Sequence, residues 1–228
     1  MSHTLKIIST ENVTHDVRKI RLEKPEGYSY EPGQATEVAI NKDGWKEEFR
    51  PFTFTSLTGE DHLEFVIKIY PDHSGLTEQI GKLKEGDELI IKDPWGAITY
   101  KGEGVFLAGG AGVTPFIAIL RDLHKKGKLE GNKLIFSNKT TKDVILGEEF
   151  RKMLGDGFTS VITSEKQDRS QAEKHEFTDG HINRDFLKKH IDDFSQSFYV
   201  CGPEPFNEAI IGHLKDLGAS PDALVFEE

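Results

Sequence analysis

Cysteine is nearly absent: Cys201 is the one example in 228 residues. That scarcity excludes an intramolecular disulfide and any all-cysteine zinc or iron–sulfur centre built by this chain alone. Long apolar runs are missing too, and no window approaches the ~18 residues of a membrane-spanning helix. The opening Met1-Ser2-His3-Thr4-Leu5-Lys6 lacks the apolar core of a secretory leader, so a cytoplasmic location is expected. Basic residues are in deficit, 29 against 39 acidic ones. The resulting net charge of −10 disfavours non-specific binding to nucleic acid or anionic membranes. The nine histidines are scattered without metal-ligand spacing, so no metal centre is expected. Neither a Gly-x-Gly-x-x-Gly fingerprint nor a Walker loop occurs.

What is present divides the chain in two. From Leu5 to Ile91, short β-type runs alternate with turn residues: Leu5–Ser9, Val17–Leu22, Ala35–Ile40, Phe52–Ser56, Leu63–Tyr70 and Glu88–Ile91. One helix interrupts them, expected over Ser74–Leu83 with Thr77 or Ser74 as N-cap. Regular short strands of this kind point to an antiparallel barrel or sandwich. After Asp93-Pro94-Trp95-Gly96, strands and helices alternate in the β-α-β grammar of a doubly wound parallel sheet. Strands are expected at Val105–Ala108, Lys133–Phe136, Phe158–Thr163, Gln196–Cys201 and Ala223–Phe226. Helices are expected at Val113–Lys126, Glu148–Leu154, Arg184–His190 and Glu204–Leu217. Residues 165–180 are polar and read as an exposed loop. The natural boundary gives domains at 1–98 and 99–228.

Three stretches carry chemistry. Arg50-Pro51-Phe52-Thr53 combines a guanidinium, an aromatic ring and a hydroxyl on a strand-like run. These groups suit a flat, phosphate-bearing ligand, although a plain strand start has the same appearance. Gly109-Gly110-Ala111-Gly112-Val113-Thr114-Pro115 joins a strand to a helix. Its glycines let backbone approach a pyrophosphate, and the helix start offers free amides; a structural glycine turn is the competing reading. Cys201-Gly202-Pro203 forms a second such junction, where Cys201 either faces a ligand crevice or fills the core.

Taken in order, Pro32-Gly33-Gln34, Arg50-Pro51-Phe52-Thr53, Gly75-Leu76-Thr77, Pro94-Trp95-Gly96, Gly109 to Pro115 and Cys201-Gly202-Pro203 resemble the ferredoxin–NADP reductase superfamily. The resemblance spans essentially the whole chain, which is close in size to the compact bacterial flavodoxin and flavin reductases. It implies an N-terminal antiparallel β-barrel that binds FAD and a C-terminal α/β domain that binds a nicotinamide dinucleotide. By the same resemblance Arg50 is the flavin phosphate clamp, with Pro51 beside it. Phe52 lies against the isoalloxazine or ribityl region, where many members carry tyrosine. Thr53 hydrogen-bonds flavin N5. Ile67, Lys68 and Ile69 run along the flavin, and Gly75, Leu76 and Thr77 receive the FAD pyrophosphate. Gly109, Gly110, Gly112, Val113, Thr114 and Pro115 hold the dinucleotide, and Cys201, Gly202 and Pro203 border the nicotinamide. Lys139 is placed to meet a ribose 2′-phosphate, a slight preference for NADPH over NADH. Glu227 matches an acidic residue that some members place near the flavin.

The resemblance therefore implies an FAD-dependent NAD(P)H oxidoreductase, with Thr53 and Cys201 nearest the reacting atoms. Its electron acceptor is expected to be flavodoxin, ferredoxin or another small electron-transfer protein. Free flavin or a quinone is the alternative acceptor, and a flavin-binding electron-transfer or regulatory subunit without nucleotide reduction is a second alternative. Because flavodoxins and ferredoxins are usually acidic, a basic docking face is expected from Arg18, Lys19, Arg21, Lys24 and Lys68.

Overall fold

The computed structural model describes residues 1–96, 98–164 and 177–226. It divides into two compact units: Met1–Tyr100 with Thr114–Asp122, and Lys101–Val113 with Leu123–Glu228.

Six strands build the first unit: β1 (Ser2–Asn12), β2 (Val17–Glu23), β3 (Ala35–Ile40), β4 (Arg50–Thr53), β5 (His62–Lys68) and β6 (Glu88–Lys92). Their order is β4-β3-β6-β1-β2-β5, and every ladder is antiparallel. The sheet curls into a nearly closed barrel. Where its two ends meet, just beyond β4, the Thr55 amide donates to the Glu64 carbonyl of β5 at 2.8 Å. β1 is longer than expected because it serves two partners. Its first half pairs with β6 and its second with β2, and a bulge between Ile7 and Ser9 leaves Ile8 exposed.

The inward face follows the alternation of the strands, with Ile20, Leu22, Val38, Leu63, Phe65, Ile67 and Leu89 all buried. Each such side chain contributes about 1.5–3 kcal/mol by leaving water. Tyr30 stacks on Phe54 at 4.0 Å between ring centroids, and Phe54 lies 5.1 Å from Phe65. One difference from the sequence pattern is β5, expected to be half-buried. Glu64 and Val66, on its other face, are buried as well.

The expected helix of residues 74–83 shortens to α1 (Leu76–Ile80), and neither Ser74 nor Thr77 caps it. Gly75 is the N-cap and offers no side chain, while Ser74 sits just before it in the left-handed region at φ 49°.

Six parallel strands form the sheet of the second unit: β7 (Gly104–Gly109), β8 (Lys133–Asn138), β9 (Phe158–Ile162), β10 (Phe177–Asp179), β11 (Ser197–Cys201) and β12 (Leu224–Phe226). Their order is β10-β9-β8-β7-β11-β12. β10 corrects the loop expected across 165–180: residues 177–179 pair with Ser160–Ile162, and 165–176 lie outside the described residues. The helices are α2 (Thr114–Lys125), α3 (Gly147–Leu154), α4 (Arg184–His190) and α5 (Glu204–Asp216). α2 starts one residue late because Gly110–Val113 forms a 3-10 turn. Its Thr114–Asp122 portion groups with the barrel and the remainder with the sheet.

β7, β8 and β11 are fully or nearly continuous buried runs, as strands covered on both faces must be. Val105, Leu107, Ile135, Phe198 and Val200 pack against Leu187 of α4 and Ile210 and Leu214 of α5. On the opposite face Phe106 stacks on Tyr199 at 4.3 Å. From β7 the chain steps outward through β8, β9 and β10, then returns to β11 on the other flank. The order therefore reverses between β7 and β11, the position at which open α/β sheets bind ligands beyond their carboxyl strand ends.

Candidate functional site

In the second unit, both glycine junctions leave the sheet at that reversal. Ala108 and Cys201 are register partners, so Gly109–Gly112 and Gly202–Pro203 emerge side by side. Absence of side chains is what allows the two backbones to meet. A Cβ on Gly112 would stand 2.5 Å from the Cys201 carbonyl carbon and 2.6 Å from Gly202 Cα, nearer than real Cβ atoms approach. Phe206 of α5 closes the cradle from below. A Cβ on Gly202 would stand 2.6 Å from its ring, and one on Gly109 would stand 3.0 Å away. Gly110 adopts φ 53°, the left-handed conformation that glycine reaches at little cost. Pro203 caps α5, whose first turn contains Pro205; Cys201 is buried.

The neighbouring strand β8 continues the same edge, with Ser137 paired to Gly109. Beyond it Asn138 is buried, and its amide nitrogen and oxygen have no hydrogen-bond partner among the described residues. Buried polar groups are ordinarily satisfied, so this amide fits a polar group or water at the strand end. Lys139 is exposed, and its carbonyl accepts from the Ser164 amide at 3.0 Å. The glycine cradle and the unsatisfied amide fit a dinucleotide.

In the first unit, β4 presents Arg50 with its guanidinium more than half exposed. It donates to the Phe49 carbonyl at 2.7 Å and lies 3.7 Å from Glu48. A surface pair of that kind is worth little and leaves the guanidinium available to an anion. Pro51 is exposed and Thr53 half-buried. Phe52 packs partly against the barrel core rather than projecting freely. On β5, Lys68 pairs with Asp16 at 2.8 Å and Ile67 is buried; Ile69, just beyond, packs on the core. Burial acts against the Asp16 charge, yet Lys68 and Thr14 together hold its carboxyl below the usual range. Gly75, Leu76 and Thr77 open α1, where Glu78 accepts from the Ser74 amide and from Lys82. Thr114 and Pro115 begin α2 and group with this unit. Glu227 lies outside the described residues.

The five cations expected to make a basic docking face each have a partner within the first unit. Arg18 donates to the carbonyls of Gly81 at 2.7 Å, Leu83 at 2.8 Å and Ile80 at 3.4 Å, anchoring the far end of α1. Lys19 pairs with Glu11, Arg21 with Glu64 and Lys68 with Asp16, and Lys24 donates to the Thr58 and Glu60 carbonyls. Glu64, Arg121 and Phe206 stand outside the sequence expectations. Phe206 left a signal, an aromatic three residues into the helix that follows Gly202-Pro203. Glu64 left none beyond a charge within an alternating strand.

A flavin-type barrel followed by a nucleotide-type parallel sheet, with two glycine junctions at the strand-order reversal, defines a class of two-domain oxidoreductases. The oxidoreductase FAD-binding domain family matches residues 4–100, and the oxidoreductase NAD-binding domain family matches residues 106–211. The chain belongs to the ferredoxin–NADP reductase superfamily of FAD- and NAD-binding oxidoreductases. It is 32% identical to NADH-cytochrome b5 reductase 2 of Mycosarcoma maydis, over 92% of this chain and 63% of that protein. It is 29% identical to the propane 2-monooxygenase reductase component of Rhodococcus jostii, over 98% of this chain and 62% of that protein. The chain thus spans less than two thirds of the length of these relatives. The FAD/NAD-binding domain of Vibrio cholerae nitric oxide dioxygenase shares the fold at a TM-score of 0.85 and 21% identity, with 98% of this chain and 97% of that one covered. Ferredoxin–NADP reductase of Neisseria gonorrhoeae, solved with bound FAD and NADP, matches at 0.82 and 18%, with 99% and 98% covered. No described helix is long and apolar enough to cross a membrane.

Proposed function

We propose that this protein is an FAD-dependent reductase that oxidises NADH and delivers electrons singly to an electron-transfer acceptor. Bound FAD would supply the redox chemistry, taking hydride from nicotinamide C4 at flavin N5. The chain's own residues bind, orient and exclude water. The observation that carries the reading is the cradle at the β7/β11 reversal, where Gly109, Gly112 and Gly202 have no room for side chains.

The residue roles belong to the same proposal. Arg50 and the Gly75-Leu76-Thr77 segment would hold the FAD phosphates, with Pro51 and Phe52 beside the cofactor. Thr53 would meet flavin N5 from the seam where β4 approaches β5, along which Ile67, Lys68 and Ile69 also run. Gly109, Gly110, Gly112, Val113, Thr114 and Pro115 would take the dinucleotide, with Cys201, Gly202 and Pro203 at the nicotinamide. Four relatives bear NADH in their names, and Lys139 is exposed at its strand end. Both favour NADH over NADPH, reversing the preference drawn from sequence.

The relatives' names point to a haem protein of the cytochrome b5 kind or an oxygenase component as acceptor, with ferredoxin or flavodoxin in the same chemical class. A small acceptor, free flavin or quinone, is favoured by one specific observation: the basic residues of β2 are consumed by internal partners. The deciding experiment is anaerobic. Purified protein reconstituted with FAD is expected to bleach on addition of NADH, and to do so faster than with NADPH. Failure to bind FAD, or a flavin that neither nucleotide reduces, would sink the reading. Turnover with cytochrome b5, ferredoxin, free flavin and a quinone then ranks the acceptors.

A further inference from the structure

We propose that Arg121 is a positioning residue for hydride transfer, holding the face of α2 that carries Thr114 in register with the segment that carries Thr53. The inference rests on the oxidoreductase reading above and adds a role for an ion pair which that reading leaves unused. All of the groups involved lie within the first unit.

The geometry is a buried knot. One guanidinium nitrogen of Arg121 donates both to the Thr55 carbonyl at 2.8 Å and to Glu64 Oε1 at 2.7 Å. Glu64 is 2% exposed and Arg121 19%. The other Glu64 oxygen accepts from Arg21 Nε at 3.0 Å, and Thr55 Oγ1 donates to Oε1 at 3.0 Å. Thr55 is held at every polar atom, because its amide also donates to the Glu64 carbonyl at 2.8 Å. Its neighbour Ser56 accepts from the Glu64 amide and meets Tyr30 OH at 2.7 Å. The chain two residues beyond Thr53 is therefore fixed by hydrogen bonds on all sides, and Arg121 is the member contributed by α2.

Position along the helix gives the knot its consequence. Thr114 and Arg121 are seven residues apart, close to two turns, so they share one face of α2 about 10 Å apart. A hold at Arg121 sets both the rotation and the axial position of the face that carries Thr114. Stability alone is a poor reason for such a pair. Desolvating two charges offsets most of their attraction, and apolar residues of similar size often serve as well or better. Registry is the best-attested use of buried ionic groups. Hydride transfer needs reacting atoms within about 3–3.5 Å, and a displacement of about 1 Å can cost ~100-fold in rate.

The test uses the FAD-loaded enzyme and the double variant Arg121→Met/Glu64→Leu, which removes the pair without leaving a lone buried charge. Flavin content, thermal midpoint and stopped-flow reduction by NADH are measured, the last across NADH concentrations to separate affinity from limiting rate. The expected result is full flavin occupancy, an NADH dissociation constant within about threefold of wild type, and a limiting rate lowered at least tenfold. A folded, flavin-replete double variant whose limiting rate falls less than tenfold overturns the proposal and assigns the pair to stability. If the double variant does not fold, Arg121→Lys decides. Its arm is one bond shorter and cannot reach both acceptors, so a limiting rate lowered about threefold or more supports the role and a smaller change refutes it. Wild-type enzyme that NADH does not reduce would remove the underlying reading and this inference with it, an outcome seen before any variant is made.

Discussion

Gly112→Ala offers the sharpest test of the dinucleotide cradle. The added methyl would lie 2.5 Å from the Cys201 carbonyl carbon and 2.6 Å from Gly202 Cα. Non-bonded carbons settle at about 3.5–4.0 Å, so the deficit is roughly 1 Å. Both obstacles are backbone atoms at the end of a fully paired strand, and no side-chain rotation relieves the overlap. The two junctions must separate by about that distance, at ~1–3 kcal/mol or more for overpacking. A shift of ~1 Å at a site that orients a reacting group is expected to cost on the order of 10²-fold in the rate of flavin reduction. The measurements are calorimetry, FAD content after desalting, and stopped-flow reduction by NADH. FAD content should stay near wild type while reduction collapses. Gly212→Ala is the control, since a Cβ there meets nothing within 4 Å inside α5. It should raise stability by ~0.5–1 kcal/mol and leave the rate alone. A Gly112→Ala enzyme that reduces its flavin within twofold of the wild-type rate would refute the cradle.

Other consequences bear on the barrel. Arg50→Ala should weaken FAD retention by about tenfold, as expected for a lost charge-assisted phosphate contact, and unchanged FAD affinity would exclude the clamp. Arg18→Met removes the donor to the Gly81 and Leu83 carbonyls, while the Ile80 carbonyl keeps the Leu83 amide; at ~1–3 kcal/mol for each one left buried and unsatisfied, the thermal midpoint should fall and FAD dissociate faster. Lys19→Met, which severs only the pair with Glu11, is the comparison, and equal effects would dismiss the α1 anchor. Burial works against the Glu64 charge, but Arg121, Arg21 and Thr55 outweigh it and hold the carboxyl below its ordinary 4.5. A depressed carboxylate contributes stability that is complete above the unfolded value and is lost as pH falls through the lower folded one. Glu64→Gln should therefore be less stable near neutrality yet lose less between about pH 5 and pH 3 than wild type; parallel acid limbs in midpoint-against-pH curves would contradict this.

The second unit was the more legible in sequence. Strands such as β7 and β11 are buried on both faces and read as unbroken apolar runs, and glycine junctions mark their ends. β10 is not legible because its described part has three residues at the sheet edge, too few for any period to emerge. In the barrel, the interior side of β5 followed from alternation. Its outer side did not, since the burial of Glu64 depends on Arg21 and Arg121, 43 and 57 residues away. The same distance effect hid the fate of the β2 cations. Arg18 looks solvated on a strand, yet its partners are the carbonyls of a helix end 62 to 65 residues later. The α1 cap is not legible in sequence for a local reason. A five-residue helix opening after a glycine has its entry set by backbone, and a nearby Ser or Thr is then no guide.

The edges of the parallel sheet carry a different consequence. Both outermost strands, Phe177–Asp179 and Leu224–Phe226, are three residues long. An exposed edge is a row of unpaired amides and carbonyls that templates aggregation, and brevity is one of the ways natural sheets blunt it. Among the described residues, four densely apolar inner strands thus sit between two short edge strands. Lengthening either edge strand in an engineered variant would trade that protection for a surface on which copies could stack.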